Sequence, residues 1–90
     1  MKQGSIYIND KLVHFPSKEE QVIKLLLENS NEVVTYEDIA KQLWENDWLN
    51  RFSLEAIIQV IKRIRKGLRE VGVSRNVIQC VRKKGYVLVG

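Results

Sequence analysis

Apolar residues recur at helical spacing in three segments of the chain. The first predicted helix covers residues 17–29, and Ser17-Lys-Glu-Glu20 at its start has the pattern of a capping box, in which serine and glutamate bond each other's backbone. The second covers residues 36–44 and begins after Thr35, a favourable capping residue. The side chains expected to face the core in these two helices are Val22, Ile23, Leu26, Leu27, Ile39, Leu43 and Trp44.

The third predicted helix is the longest and has an apolar side and a cationic side. It begins after Ser53 as its capping residue and ends at Gly72, which is expected to be left-handed. Its apolar stripe consists of Leu54, Ile57, Ile61, Ile64 and Leu68. At about 100° per residue, the outward positions are Gln59 and Lys66, flanked by Glu55, Lys62 and Arg63, with Arg65 and Arg69 along one border.

Alternating and short extended runs predict two hairpins and one further strand. The predicted strands are residues 5–8, 11–15, 33–34, 77–82 and 86–89. Asn9-Asp10 favours a tight turn between the first two strands. The tip of the last hairpin carries three consecutive cations, Arg82, Lys83 and Lys84. With one proline and no low-complexity segment, residues 1–90 are expected to form a single α+β domain.

Charge is divided unevenly between the two parts of the chain. Residues 1–50 hold five lysines and nine acidic residues, a net charge of −4. Residues 51–90 hold ten lysines and arginines against Glu55 and Glu70, a net charge of +8. Such a distribution favours a polyanionic partner on one face, although a solvated basic surface is the alternative that charge alone leaves open.

Several kinds of chemistry lack their residues in this sequence. One cysteine and one histidine cannot supply the four ligands of a structural zinc site. No glycine-rich phosphate loop occurs, and the acidic pairs Glu19-Glu20 and Glu37-Asp38 fit helix N-termini better than acid–base catalysis. We therefore expect neither an enzyme nor a metal or cofactor site. The single cysteine suits a reducing cytoplasm, and no apolar run of eighteen residues would span a membrane.

The second and third helices together predict a helix-turn-helix with an enlarged turn. A helix with a cationic outer side fits the major groove of DNA, where arginine, lysine and glutamine read base edges. A hairpin with a basic tip beside that pair can contact the sugar–phosphate backbone or an adjacent minor groove. The expected function is therefore DNA binding, and the three cations at 82–84 form the tip of a DNA-binding wing.

Three stretches in this order resemble a known family. They are Val33-Val34-Thr35-Tyr36-Glu37-Asp38-Ile39 with Leu43-Trp44, Ile61-Lys62-Arg63-Ile64-Arg65-Lys66-Gly67-Leu68, and Val81-Arg82-Lys83-Lys84-Gly85-Tyr86. The chain resembles, over about residues 5–89, the effector domain of OmpR/PhoB-type bacterial transcription regulators, which also occurs in ToxR- and CadC-type membrane-anchored regulators. The resemblance implies a winged helix-turn-helix with an N-terminal antiparallel sheet, three helices and a C-terminal β-hairpin wing. It also implies sequence-specific binding of double-stranded promoter DNA.

Positions carried over from the family give the expected contacts. The residues implied to face the major groove are Gln59, Lys62, Arg63 and Lys66. Arg65 resembles a residue that contacts the DNA backbone, and Arg82 a wing arginine that reaches the minor groove. The full set expected to contact DNA is Gln59, Lys62, Arg63, Arg65, Lys66, Arg69, Arg82, Lys83 and Lys84.

Two positions depart from the family, and one loop has a further implied partner. Lys83 replaces the first glycine of the wing turn, and Ile58 stands where the family often has a charged residue, so base preference does not transfer. In the family the loop between the second and third helices can contact RNA polymerase. Its residues here are Asp47, Trp48, Leu49 and Asn50. For Trp48 the alternative is that it closes the core.

The assembly and the context of the domain are also expectations. All long apolar stripes are needed for the domain's own core, so we expect a monomer that pairs only on adjacent DNA half-sites. A winged helix used for protein contacts alone is the alternative function. If Met1 is the native start, a ToxR-like arrangement is favoured, in which this segment is the cytoplasmic domain of a membrane-anchored regulator. If Met1 is not the native start, this inference does not hold, and the C-terminal position found in OmpR/PhoB-type response regulators stays open.

Overall fold

The computed structural model describes residues 4–8 and 11–90, which form an α+β fold. The strands are β1 (Gly4–Ile8), β2 (Lys11–Phe15), β3 (Val33–Thr35), β4 (Ile78–Val81) and β5 (Gly85–Leu88). The helices are α1 (Ser17–Glu28), α2 (Tyr36–Trp44), α3 (Trp48–Arg51) and α4 (Leu54–Glu70). The predicted order of an N-terminal hairpin, three main helices and a C-terminal hairpin is confirmed. The turn expected at Asn9-Asp10 lies outside the described residues.

The strands form two separate antiparallel sheets. β1 pairs with β2 from Gly4 opposite Phe15 to Ile8 opposite Lys11. The second sheet has the order β3-β5-β4, so the C-terminal hairpin is extended by the short strand that leads directly into α2. The wing and the helix-turn-helix are therefore joined by backbone hydrogen bonds rather than by side chains alone.

The core lies between α4 and the elements packed on its apolar side. The four α4 residues Ile57, Ile61, Ile64 and Leu68 are buried as expected, together with Val22, Ile23 and Leu26 of α1 and Ile39 of α2. The largest fully buried side chains are all aliphatic, so the hydrophobic effect rather than polar bonding holds the helices together.

Three core expectations need correction. Val60 is 5% exposed and joins the stripe, whereas Leu54 is 41% exposed. Including Val60 moves the centre of the buried side of α4 away from Leu54. Leu27 is exposed because it lies a quarter turn beyond the buried face formed by its neighbours in α1. Leu43 and Trp44 are partly buried and pack against the core as expected.

The helix ends confirm two predicted caps and contradict one. Thr35 Oγ1 accepts a hydrogen bond from Asp38 N at 3.1 Å, and Asp38 accepts one from Thr35 N at 3.3 Å. Ser53 Oγ likewise accepts from Ala56 N at 3.2 Å. The box predicted at Ser17 is wrong: Ser17 is already helical, and the carbonyl oxygen of Pro16 accepts the Glu20 N–H at 2.8 Å.

The end of α4 and the connection that precedes it are also defined. Gly72 has φ 84° directly after α4, so it ends the helix in the predicted left-handed conformation. The residues between α2 and α4, predicted as a loop between the second and third helices, are not irregular. They continue from a single 3₁₀ turn, Glu45–Asp47, into the one-turn helix α3.

The close approach of β3 and β5 leads to a stability prediction. An alanine at Gly85 would place its Cβ against the carbonyl oxygen of Val34 and 2.8 Å from the Cα of Thr35. Because both are backbone atoms, β3 would have to shift, and we expect the free energy of unfolding to fall by at least about 2 kcal/mol. Urea unfolding measures this. Gly90→Ala is the control, since its Cβ would meet only a Leu88 methyl at 4.0 Å; an equal loss there would refute the packing explanation.

Candidate nucleic-acid interface

The cations predicted on the third helix lie together on the outward side of α4. Lys62, Arg63, Lys66 and Arg69 are all exposed, and so is Gln59. With Arg65, these four cations line one shallow concavity of the surface. The opposite side of α4 is the buried apolar stripe, so the helix is fixed in the one rotation that directs its charges to solvent.

The wing tip presents its three cations as predicted. Arg82, Lys83 and Lys84 are exposed between the ends of β4 and β5, and Lys84 N–H donates to the Val81 carbonyl at 2.9 Å. Lys83 has φ 65°, so it takes the left-handed conformation that a glycine would adopt more readily. The departure from the family's glycine therefore adds a charge at the tip at a steric cost of about 1–2 kcal/mol.

The start of α2 is bonded to the wing. Tyr36 N–H donates to the Lys84 carbonyl at 3.0 Å. The Tyr36 ring meets the Tyr86 ring edge to face, with centroids 6.0 Å apart and an interplanar angle of 82°. Together with the pairing of β3 and β5, these contacts fix the position of the cationic tip relative to the helix-turn-helix.

Arg65 was expected to contact the DNA backbone, but its side chain makes contacts within the protein. Its Nη2 donates to the Ile78 carbonyl of β4 at 2.7 Å, and its guanidinium carbon lies 5.9 Å from the centroid of the Tyr86 ring. The side chain is half-buried between α4 and the wing. It therefore positions the wing within the protein, unlike the exposed cations beside it.

Arg63 has an acidic neighbour that sequence reasoning did not find. Its Nη1 lies 3.5 Å from Oε2 of Glu19 in the first turn of α1. The Glu19 side chain is only 4% exposed, whereas that of Arg63 is 68% exposed. The two residues are 44 positions apart in sequence, so no local pattern indicates the pair. Arg63 thus lies on the α1 border of the cationic face and keeps most of its surface accessible.

Two tyrosines near the wing are held neutral. Burial raises the pKa of Tyr36 above its usual value, and the hydrogen-bond contact between its hydroxyl and the Cys80 thiol, at 4.0 Å, raises it further. Burial also raises the pKa of Tyr86, Cys80 adds to this, and Arg65 acts in the opposite direction. Near neutral pH, the charge of this region therefore comes from its lysines and arginines.

The connection between α2 and α4 exposes two large apolar side chains, Leu49 and Phe52. Trp48 is half-buried, with Lys41 Nζ of α2 5.5 Å from its ring centroid, and Asn50 donates to Asp47 at 3.1 Å. Leu49, between them, is 75% exposed. Trp48 does not belong to the core cluster of the described residues, so closing the core is not its main role.

Residues 4–8 and 11–90 contain no group of three or more potential metal-ligating side chains. Within the same ranges, no helix combines the length and apolar character needed to cross a bilayer.

Comparisons of the sequence point to one family. A family model described as "Transcriptional regulatory protein, C terminal" matches residues 10–88. The transcriptional regulator HilA of Salmonella typhimurium (strain LT2) is 34% identical over 61 residues, which are 68% of this chain and 11% of HilA. The chain thus spans about a tenth of the length of the curated relatives that it matches.

Comparisons of the fold agree with the sequence match. The C-terminal domain of the nisin resistance regulator NsrR is 28% identical with a TM-score of 0.75, and the match covers 100% of this chain and 89% of that one. The DNA-binding domain of the response regulator AdeR, solved in complex with an intercistronic region, is 22% identical with a TM-score of 0.78. That match covers 97% of this chain and 85% of the AdeR chain.

The internal role of Arg65 can be measured by substitution. We expect Arg65→Lys to lower the free energy of unfolding by about 1–3 kcal/mol, because a lysine cannot keep both the bond to Ile78 and the stacking on Tyr86. Lys66→Arg, on the exposed side of the same helix, is the matched control and should be neutral. Urea unfolding compares the two. If the Arg65→Lys variant is as stable as the wild type, the internal contacts of Arg65 do not stabilise the fold, and Arg65 is again a candidate for contacting DNA.

Proposed function

The chain belongs to the family of OmpR/PhoB-type transcriptional regulatory domains, and on that premise we propose that it binds specific sites in double-stranded DNA for a bacterial transcription regulator. This membership confirms the resemblance found in the sequence. The observation that carries the proposal is the two-sided character of α4, with its apolar side buried and its cations exposed. The AdeR domain, which shares the fold, was solved in complex with DNA.

In the proposed complex α4 lies in the major groove and the wing follows the backbone. Gln59 and Arg63 are placed to hydrogen-bond base edges, since both side chains are exposed on the outward side. Lys62, Lys66 and Arg69 supply phosphate contacts along the helix. The wing contributes Lys83 and Lys84 at the backbone and Arg82 at the minor groove. Arg65 is left out of this set because its guanidinium is bonded to β4.

A protein-binding role without DNA is less well supported. Such a module requires an outer face that a neutral or apolar partner surface can cover. Here the outward side of α4 carries four exposed cations, and desolvating them against a protein without matching acids is costly. A polyanion avoids this cost, because each phosphate pairs with a cation and releases its counterions.

We further propose that the isolated domain is a monomer that pairs on adjacent half-sites. The apolar faces of α1, α2 and α4 are used in the domain's own core. One recognition helix and one wing reach only a few base pairs, which limits discrimination against genomic DNA. A second copy on the neighbouring half-site raises the effective concentration of the first and thereby adds specificity.

The loop that contains α3 is proposed as a second contact site, for RNA polymerase. The family resemblance suggests this partner, and the exposure of Leu49 supports it, since a large apolar side chain in solvent gains when a protein covers it. Asp47, Trp48 and Asn50 would surround that contact. The contact between the Trp48 ring and Lys41 Nζ holds the backbone from which the Leu49 side chain projects.

DNA binding is tested with a duplex selected by this domain from a random pool, using an unrelated duplex as competitor. The phosphate contacts proposed for Lys62, Lys66, Arg69, Lys83 and Lys84 predict a log–log dependence of affinity on salt with a slope of about −4.5. We expect the selected duplex to bind more tightly than the competitor at every salt concentration, measured by fluorescence anisotropy. Equal affinity for both duplexes, or affinity independent of salt, would refute the proposal.

Three variants separate residues that read bases from residues that hold the backbone. Lys84→Ala should weaken binding to both duplexes by the same factor. Arg63→Ala should weaken binding to the selected duplex by about 1–3 kcal/mol and reduce the ratio of the affinities for the selected and the unrelated duplex. Lys11→Ala, an exposed cation on β2, should change neither affinity. If Arg63→Ala leaves the ratio of the two affinities unchanged, Arg63 contacts the DNA backbone instead of a base.

The polymerase contact predicts a selective defect in Leu49→Ala. This variant should keep the stability and the DNA affinity of the wild type, because Leu49 is 75% exposed and lies outside α4. It should recruit less RNA polymerase to a promoter duplex that carries the selected site, measured by native gel shift of the ternary complex. Leu12→Ala, an exposed apolar residue on β2, is the control. Unchanged recruitment in Leu49→Ala would exclude this contact.

A further inference from the structure

The outward side of α4 differs between its two halves. The C-terminal half carries the cations described above, from Lys62 to Arg69. The N-terminal half carries no cation; its exposed residues are Leu54, Glu55, Ile58 and Gln59. Recognition helices of helix-turn-helix domains contact base edges chiefly with their N-terminal residues. The half of α4 with the fewest phosphate-binding groups is therefore the half closest to the bases in the proposed complex.

Leu54 and Ile58 are the exposed apolar residues of this half, and Ile58 lies closer to the cationic side of the helix. Three other isoleucines of α4, at 57, 61 and 64, are at most 1% exposed, whereas Ile58 is 40% exposed. It lies one turn before Lys62, about 40° from it around the helix axis, on the side that we assign to the groove. Since the core does not use this side chain, its apolar surface gains free energy only when a partner covers it.

The major groove offers one apolar group at its base edges, the C5 methyl of thymine. Lysines and arginines that bind phosphate carry no sequence information, because the backbone is the same at every step. We propose that Ile58 contacts a thymine methyl and so makes the domain prefer T·A at one position of each half-site. This inference rests on the DNA binding proposed above and adds a specificity-determining residue to it.

The neighbours of Ile58 favour this ligand over a protein. Lys62 follows it by one turn on the same side, and the cationic concavity continues from there towards the C-terminus of α4. A protein covering Ile58 would also have to cover Lys62, whereas DNA meets that lysine with a phosphate and Ile58 with a base. A thymine methyl and a nearby phosphate together match the apolar–cationic pair.

The test removes the methyl group from the DNA and the side chain from the protein. Each thymine of the selected duplex is replaced in turn by deoxyuridine, which has hydrogen at C5. At one or two positions per half-site, this should weaken wild-type binding about fourfold, the value of one buried methyl group. Ile58→Ala should bind the thymine duplex about as weakly as the wild type binds the deoxyuridine duplex, and deoxyuridine should cause no further loss of its affinity. Ile58→Val should keep part of the sensitivity.

Controls separate failure of this inference from failure of the proposed function. Leu27→Ala removes a comparably exposed apolar side chain from α1 and should keep the full sensitivity to deoxyuridine. Circular dichroism and urea unfolding verify that each variant is folded. Tight, specific binding by the wild type without any effect of deoxyuridine would overturn the role of Ile58 and leave DNA binding intact.

Three other results would also overturn the inference. If the sensitivity to deoxyuridine persists in Ile58→Ala, another residue or the shape of the DNA reads the methyl group. If the selected duplex binds no better than the unrelated one, the proposed function fails and the role of Ile58 fails with it. Loss of polymerase recruitment in Ile58→Ala at unchanged DNA affinity would instead assign Ile58 to a protein contact.

Discussion

The pairing of the three-residue strand β3 with β5 is the constraint on which the DNA-binding arrangement depends. It places Thr35, the cap of α2, opposite Gly85 at the start of the last strand. The same few hydrogen bonds therefore set the start of the helix-turn-helix and the base of the wing. The bond from Tyr36 to the Lys84 carbonyl extends this pairing to the wing tip. Because the backbones approach so closely, only glycine fits at position 85.

The second constraint is the charge on α4, which opposes its own stability. Lys62 with Lys66 and Arg65 with Arg69 are like-charged pairs four residues apart, and each costs about 0.2–0.5 kcal/mol in a helix. The fold offsets part of this cost within the protein, since Arg63 lies near the buried Glu19 and Arg65 bonds β4. Burial of the apolar stripe exceeds what remains. A helix of this kind is most stable when a polyanion covers its outer side.

Most predictions from local sequence patterns were correct, whereas the contacts between distant segments could not be predicted from the sequence. Thr35 with Asp38 and the end of α4 at Gly72 depend on residues within a few positions, so the sequence is sufficient for them. At Ser17 the capping pattern was present but unused, because the chain had already turned at Pro16. The partners of Arg65 and Arg63 lie 13 and 44 residues away, and no periodicity indicates them. The cations of the proposed interface could be predicted from sequence, while their division into exposed and internally bonded groups required the structure.

This division changes how specificity can arise in the proposed complex. Exposed cations attract any phosphate backbone, so more of them raise the affinity for every sequence alike. Discrimination has to come from side chains that meet base edges, and these are few on a single helix. In α4 the residues with neither a phosphate partner nor a place in the core are concentrated in the N-terminal half. Sequence preference is therefore expected to depend on that half together with Arg63, and the strength of binding on the other cations of the C-terminal half and on the wing.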